Sequence, residues 1–166
     1  MWLKYFVSSL LLLGAAVGQS TYEQKRAAFA RAIARTEGCY VKGSIPNRYH
    51  NCGDLKKMTH GGKYPGQVGV GKGGHIIFSS NATGWSALLH QIDKMTSGES
   101  KFYKQDMTLL QLGKLYAENS RLWAKNLAKN LGVSPSITLE DYFELPPRVK
   151  FSVIPRQLQY LMGNPQ

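Results

Sequence analysis

Cysteine is scarce in this sequence, and the motifs that indicate a metal, nucleotide or serine-nucleophile site are missing. With only two cysteines, and four histidines without metal-ligand spacing, the sequence predicts no zinc site. The segment Gly66-x-x-x-x-Gly71-Lys72 begins like a phosphate-binding loop, but residue 73 is Gly where Ser or Thr would bind magnesium. No Gly-x-Ser-x-Gly turn is present. We therefore expect no cofactor and no metal.

Acidic residues are also few: ten Asp and Glu stand against 21 Lys and Arg, which gives a net charge of +11. This excess suits an anionic partner, such as nucleic acid, an anionic lipid surface or bacterial cell wall, although solubility alone would also explain it. Because the basic residues are scattered and form no basic-aromatic motif, we do not expect nucleic-acid binding. Charge alone would also fit a cationic antimicrobial protein.

Long apolar runs are confined to the N-terminus. Lys4 supplies a positive charge, residues 5–17 are mostly apolar, and Ala16-Val17-Gly18 offers small residues for cleavage before Gln19. This pattern predicts a signal peptide over 1–18, and the run is too short to span a bilayer comfortably. We therefore expect an exported, periplasmic or extracellular protein with no stable membrane anchor after cleavage.

Export gives the two cysteines a structural meaning. Oxidising compartments favour disulfides, and Cys39 and Cys52 have one possible intramolecular pairing. Closing a loop of about a dozen residues would stabilise the fold by roughly 3 kcal/mol in the chain-entropy model. Cys39 could instead be a nucleophile paired with His50 or His75, but a single exported cysteine pair is far more often structural.

Hydrophobic periodicity predicts a mainly α, α+β fold: a helical domain with a small β-hairpin over 20–145 and a C-terminal extension over 146–166. We find no repeat and no second domain, and we expect a monomer. The predicted early elements are a helix over 21–37 opened by a Ser20-x-x-Glu23 capping box, and a hairpin of 67–70 with 75–78. The next predicted helix is capped by Asn81 or Thr83 and ends at Ser97-Gly98. It is followed by a helix over 108–117, with Leu115 and Tyr116 facing inward, and by one over 120–131 before Gly132. Two short helices are predicted from Thr138 to Pro146 and around Leu158 and Leu161.

One of the few carboxylates, Glu37, stands at the end of the first predicted helix. On a helical wheel it shares a side with Phe29 and Ile33, and Gly38 follows as a helix-ending glycine. Apolar neighbours and the partial negative charge of a helix C-terminus both raise the pKa of a carboxyl group, so Glu37 is suited to be a general acid. The plainer alternative is a glutamate that extends into water beside Gly38.

Several segments, taken in order, carry a family resemblance. They are Glu37-Gly38-Cys39-Tyr40, Asn51-Cys52-Gly53-Asp54-Leu55, Gly84-Trp85-Ser86-Ala87-Leu88, Tyr116-Ala117-Glu118-Asn119 and Trp123-Ala124-Lys125-Asn126-Leu127. Together they resemble the lysozyme-like superfamily, closest to its lytic transglycosylase and phage-type muramidase branch. In that branch a helix ends in Glu-Gly-aromatic and an Asn-Asn-Pro-Gly-Asp/Asn-Leu-like turn follows. Cys52 stands where proline is usual, and a bridge to Cys39 would replace the rigidity of that proline.

The resemblance implies an enzyme that cleaves the β-1,4 bond between N-acetylmuramic acid and N-acetylglucosamine in peptidoglycan glycan strands, with Glu37 as the catalytic acid in a cleft. The residues that it implies for sugar contact or for orienting Glu37 are Tyr40, Asn51, His75, Tyr116 and Asn119. Glycosidases usually need a second carboxylate, and none stands out in this sequence.

The missing second acid favours the lytic transglycosylase route, in which one Glu serves as acid and then as base while the substrate's own groups assist. The alternative is a non-catalytic cell-wall-binding or assembly-associated domain that keeps the fold without turnover.

Overall fold

A computed structural model of the chain describes residues 22–58 and 61–146. The predicted signal peptide, nearly all of the predicted C-terminal extension and the predicted helix around Leu158 and Leu161 lie outside the described residues. Ser20, the first residue of the predicted capping box, lies outside them as well.

The described part of the chain consists of helices and one small antiparallel sheet, which confirms the predicted α+β class. The elements, in chain order, are α1 (22–36), α2 (Ile45–Arg48), β1 (Gln67–Val70), a 3-10 turn (Lys72–Gly74), β2 (Ile76–Phe78), α3 (Asn81–Thr96), α4 (Leu109–Tyr116), α5 (Ser120–Leu131) and α6 (Leu139–Phe143). In the sheet, Gln67 pairs with Phe78 and Val70 pairs with Ile76, with an irregularity in register between them. The predicted hairpin is therefore present.

Helix α1 ends in the turn that Gly38 makes possible. The Cys39 N–H donates to the Ala34 carbonyl at 2.9 Å, and the Gly38 N–H donates to the Arg35 carbonyl at 3.1 Å, which is the Schellman arrangement. Gly38 has a φ of 72°, in the region that glycine adopts without steric cost. The turn confirms the predicted helix-ending glycine and fixes the direction in which Glu37 leaves the helix.

The core sits mainly around one face of α1. Phe29 and Ile33 are fully buried there and pack in one cluster with side chains from the later helices. The other buried members of this cluster are Ala30, Ala32, Leu88, Ile92, Met95, Leu109, Leu112, Trp123, Ala124, Leu127, Ala128, Leu139 and Phe143. A second, smaller cluster under the sheet contains Leu55, Tyr64, Ile76, Phe78 and Ala87. Each large apolar side chain buried in this way stabilises the fold by roughly 1.5–3 kcal/mol.

The two cysteines form a disulfide, as predicted. The Cα atoms of Cys39 and Cys52 are 4.9 Å apart, and neither thiol is free to act as a nucleophile. A disulfide is consistent with an exported protein. Within 22–58 and 61–146, no helix combines the length and apolar character that crossing a membrane would require.

A buried amide fixes the turn that follows the disulfide. Asn51 is fully buried, and its Nδ2 donates to the carbonyls of Leu55 at 2.9 Å and Ile76 at 3.0 Å. Its Oδ1 accepts from the Leu55 N–H at 2.9 Å, and the Ile76 N–H donates to the Leu55 carbonyl. Because the amide is paired on both sides, the turn 51–55 is tied firmly to β2.

Side-chain caps set the starts of the later helices, and one predicted cap is wrong. Ser80, and neither Asn81 nor Thr83, is the N-cap of α3. Its hydroxyl accepts from the Thr83 N–H, while the Thr83 hydroxyl accepts from the Ser80 N–H, so Thr83 completes a capping box. Leu115, predicted to face inward, is 48% exposed because α4 packs through Leu112 and Gly113 instead.

Gly84 is the tightest point in this packing. A Cβ at this position would lie 1.7 Å from the carbonyl oxygen of His50, a backbone atom that cannot easily move aside. We expect Gly84→Ala to lower the free energy of unfolding by about 3 kcal/mol, the upper end of the usual cost of overpacking. Urea unfolding measures this change. Ser86→Ala, on the exposed side of the same helix, should stay within about 0.5 kcal/mol of the wild type. Equal stability of the two variants would contradict the close approach.

Candidate active site

A cavity of about 810 Å³ lies beside the end of α1. Its wall is built from the end of α1, the segment 54–57 with His75, part of α3, and the connection between α4 and α5. The lining residues are Glu37, Asp54, Leu55, Lys56, Lys57, Tyr64, His75, Gln91, Tyr103, Lys114, Leu115, Tyr116, Ala117 and Glu118. The volume is within the range of small-molecule sites, and most of these side chains are polar.

Glu37 lies on this wall, and its pKa is raised from 4.5 to about 7. Burial, which penalises the charged carboxylate, is the largest cause, and the negative charge of Asp54 adds to it. A hydrogen bond from Trp123 and the positive charge of Lys56 act in the opposite direction. The side chain therefore does not extend into open water. A carboxyl group with this pKa can hold a proton near neutral pH and can accept one again after losing it.

Trp123 holds the Glu37 carboxyl group in place. Its Nε1–H donates to Glu37 Oε1 at 2.5 Å, and its indole stacks on the ring of Tyr116 with centroids 4.7 Å apart. The Tyr116 hydroxyl in turn donates to the carbonyl of Gly53 at 2.6 Å, and burial raises the pKa of Tyr116 well above its ordinary value. Sequence periodicity predicted Trp123 only as a core residue. The structure shows that its buried ring also donates an N–H to Glu37, which lines the cavity.

Asp54 is a second carboxylate in the same cavity, one that its sequence context does not single out. No second acid stands out in the sequence, whereas in the structure Asp54 and Glu118 both line the cavity with Glu37. Burial raises the pKa of Asp54, while the neighbouring His75 and Lys56 lower it. A signal was available in the sequence. Asp54 is two residues after Cys52 and Glu37 is two residues before Cys39, so the predicted disulfide brings the backbone segments of the two acids together, although it does not decide where their side chains point.

His75 makes the closest contact with Asp54. Its Nδ1 lies 2.7 Å from Asp54 Oδ1, and the two side chains are only 14% and 23% exposed. The two atoms are at an ion-pair distance. Neither of these buried atoms has a well-aligned hydrogen-bond partner among the described residues, so the angles of this contact are poor for a hydrogen bond. Of the five residues implied by the family resemblance for sugar contact or orientation, His75 and Tyr116 line the cavity.

The other three lie outside the cavity lining. Asn51 is fully buried, and its amide is occupied by the backbone of the turn 51–55 and of β2. Asn119 is exposed and accepts from the Leu122 N–H as the N-cap of α5. Tyr40 is 60% exposed and does not line the cavity. The structure therefore does not bring these three residues into the cavity that Glu37 lines.

The remaining lining residues suit a polar ligand. Tyr64 and Tyr103 offer aromatic rings, and the Tyr103 hydroxyl accepts from Gln91 Nε2 at 2.7 Å. Lys56, Lys57 and Lys114 also line the cavity, and none of them forms an ion pair with a described residue. The described residues contain no group of three or more His, Cys, Asp and Glu side chains that could hold a metal ion.

Comparisons of the chain with protein-family models, with curated proteins and with solved structures found no match. The residues of the cavity and their chemistry are therefore the basis for assigning a function.

Removing the Trp123 N–H should raise the pKa of Glu37 above about 7, because that hydrogen bond favours the charged carboxylate. Trp123→Phe keeps an aromatic ring over Tyr116 but removes the donor. Carbon NMR titration of labelled glutamate carboxyl groups measures the change. Trp85→Phe, in the half-buried part of α3, is the matched control and should leave the Glu37 titration where it was. A lower pKa in Trp123→Phe would contradict the assigned role of the indole.

Glu37 should also make stability depend on pH. Its pKa is about 7 in the folded protein and 4.5 for the ordinary group, so the folded state binds more protons between these values. The stabilisation present below pH 4.5 is therefore lost as the pH rises towards 7. Glu37→Gln cannot ionise and keeps an acceptor for Trp123. We expect wild type and variant to melt at similar temperatures at pH 4, and the variant to melt higher at pH 8. Glu99→Gln, at an exposed position, should show no such difference.

Proposed function

We propose that this chain is an exported peptidoglycan-cleaving glycosidase of the lysozyme-like type, which acts on the β-1,4 bond between N-acetylmuramic acid and N-acetylglucosamine. The observation that carries the proposal is the position of Glu37: a carboxyl group with a pKa of about 7 on the wall of a cavity of about 810 Å³. Glycoside cleavage needs a proton delivered to the departing oxygen, and Glu37 holds one there near neutral pH.

The chemistry needs one group that acts first as an acid and then as a base. Protonated Glu37 gives its proton to the glycosidic oxygen while the bond from that oxygen to C1 of the muramic acid breaks. In the lytic transglycosylase route, ionised Glu37 then takes the proton of the same sugar's 6-hydroxyl, whose oxygen bonds to C1 and closes a 1,6-anhydro ring. The Trp123 N–H supports this cycle because it bonds to the carboxyl group and favours its charged form.

The remaining wall suits such a glycan. Tyr64 and Tyr103 are aromatic residues of the wall, a side-chain type against which sugars can pack, and Gln91 provides an amide. The lysines of the cavity, with the net charge of +11, favour the carboxylates on the lactyl-peptide stems of peptidoglycan. The disulfide is consistent with a protein that acts outside the reducing cytoplasm.

Asp54 favours a second candidate route, hydrolysis. A carboxylate in the same cavity could direct a water molecule to C1 in place of the 6-hydroxyl. Asp54 is in contact with His75, which partly compensates its charge, so we retain transglycosylation as the proposed route. The two routes leave different ends on the product and are separable by experiment.

Purified sacculi provide the test of the proposed activity. The wild-type protein should release soluble fragments, and Glu37→Gln should reduce the rate by about 100-fold or more, since it removes the proton donor. Glu99→Gln is the matched control because it neutralises an exposed carboxylate elsewhere, and it should retain wild-type activity. Mass spectrometry of the released muropeptides measures both rate and product.

The products distinguish the alternatives. Anhydro ends would support transglycosylation, and reducing ends would support hydrolysis. Equal activity of wild type and Glu37→Gln would remove Glu37 from the mechanism. Binding to sacculi without any released fragment, under conditions in which a control lysozyme works, would instead support the non-catalytic wall-binding domain.

A further inference from the structure

We infer that the outer face of α5 is a second binding surface, which holds the protein on the anionic peptide stems of peptidoglycan outside the cavity. Arg121, Lys125 and Lys129 form this surface, which we call the α5 basic stripe. The identity of the partner rests on the proposed function. The stripe itself is independent of Glu37 and of bond cleavage.

The three cations lie along one side of the helix. Residues four apart on an α-helix share a side and are separated by about 6 Å along the axis, so the stripe spans about 12 Å. All three residues are exposed, whereas the side of α5 that carries Trp123 and Leu127 is buried in the core. None of the three cations forms an ion pair with a described residue.

Acidic residues are nearly absent from this part of the chain. Between Asp106 and Glu140 the only acid is Glu118, and α5 itself contains none. Glu118 belongs to the connection between α4 and α5 that lines the cavity. The sequence around α5 therefore does little to neutralise the stripe, and its positive charge is available to an anionic partner.

The stripe also opposes the stability of its own helix. Arg121 is in the first turn of α5, where the helix dipole disfavours a cation and where no acidic residue is present. Like charges four residues apart repel each other. Only Lys129, in the last turn, is favoured by the dipole. Helix formation therefore does not account for the three charges, and a ligand of opposite charge would relieve their repulsion.

A polymer with spaced carboxylates fits this surface better than a membrane or a nucleic acid does. Binding to a bilayer needs an apolar helix face, but the apolar face of α5 is used by the core, and Leu122 is its one large apolar side chain listed among the exposed residues of the fold. No exposed aromatic side chain on α5 could stack on bases. Peptide stems recur along each glycan strand, so several carboxylates can meet the stripe at once.

The stripe begins near the cavity but is not part of it. Arg121 is three residues after Glu118, and none of the three cations is a lining residue. The stripe can therefore be occupied while a glycan strand is in the cavity, and it can keep the protein on the wall between successive cleavages.

Binding to purified sacculi tests the stripe, with Glu37→Gln as the background because it lacks the proton donor and leaves the polymer intact. In this background the triple variant Arg121→Gln, Lys125→Gln, Lys129→Gln removes the stripe. In cosedimentation at low salt we expect its Kd to rise about tenfold, since three exposed charge contacts contribute about twofold each. High salt should reduce the difference because it screens exposed charges.

The matched control removes the same number of exposed lysine charges from scattered positions, as Lys42→Gln, Lys63→Gln and Lys94→Gln. Its net charge equals that of the stripe variant, so it separates the position of the charges from their number. We expect its Kd to rise by no more than about twofold.

Turnover and melting give two further readouts. With Glu37 intact, the stripe variant should cleave short soluble muropeptide fragments at the wild-type rate and should release fragments from sacculi more slowly. It should melt at or above the wild-type temperature, because the repulsion along α5 is removed. A lower melting temperature would show that the charges serve the helix and would overturn the inference.

The outcomes separate this inference from the proposed function. Equal sacculus binding by the two triple variants would overturn the stripe as a binding surface and leave Glu37 untouched. Stripe-dependent binding to phosphatidylglycerol vesicles, without binding to sacculi, would overturn the inferred partner. A wild type that binds sacculi through the stripe but releases no fragments would overturn the proposed function and leave the stripe in place.

Discussion

The Cys39–Cys52 disulfide is the constraint on which the rest of the site depends. It holds the two Cα atoms 4.9 Å apart and so joins the end of α1 to the turn that carries Asp54. On one side of the bond, the Schellman turn at Gly38 directs Glu37 out of the helix. On the other side, the buried amide of Asn51 ties the turn to β2. The bond therefore joins the two backbone segments that carry Glu37 and Asp54.

This arrangement works against stability at several points. Glu37 is kept in surroundings that oppose its charge, Asp54 adopts a positive φ, and Asp54 and His75 each have a buried atom without an aligned partner. Such features persist only where the surrounding structure imposes them, and they concentrate at functional sites. Here the burial of Phe29 and Ile33 on the core side of α1 offsets part of the cost. The site and the core thus share one helix, with its apolar face inward and its last residue at the cavity.

The secondary structure could be predicted well because its signals are local. Helix α5 has the predicted bounds and ends at Gly132 as expected, and Thr138 begins α6 as its N-cap. The errors arose where several candidates stood together. Ser80 was overlooked beside Asn81 and Thr83, although only its hydroxyl bonds to the Thr83 N–H. Leu115 follows the apolar pattern of α4, but its side chain lines the cavity instead of packing in the core.

The sequence by itself determined the disulfide, the end of α1 at Gly38 and the apolar surroundings of Glu37, because each follows from residues close together in the chain or from the only possible cysteine pairing. Tertiary structure alone decided which groups meet at the cavity. Trp123 is 86 residues from Glu37, and His75 reaches Asp54 only because β2 returns alongside the segment 54–57. Periodicity reports which side chains are buried. It carries no information about the direction of an indole N–H or about whether the side chains of two acids face the same cavity, since those depend on how the elements pack.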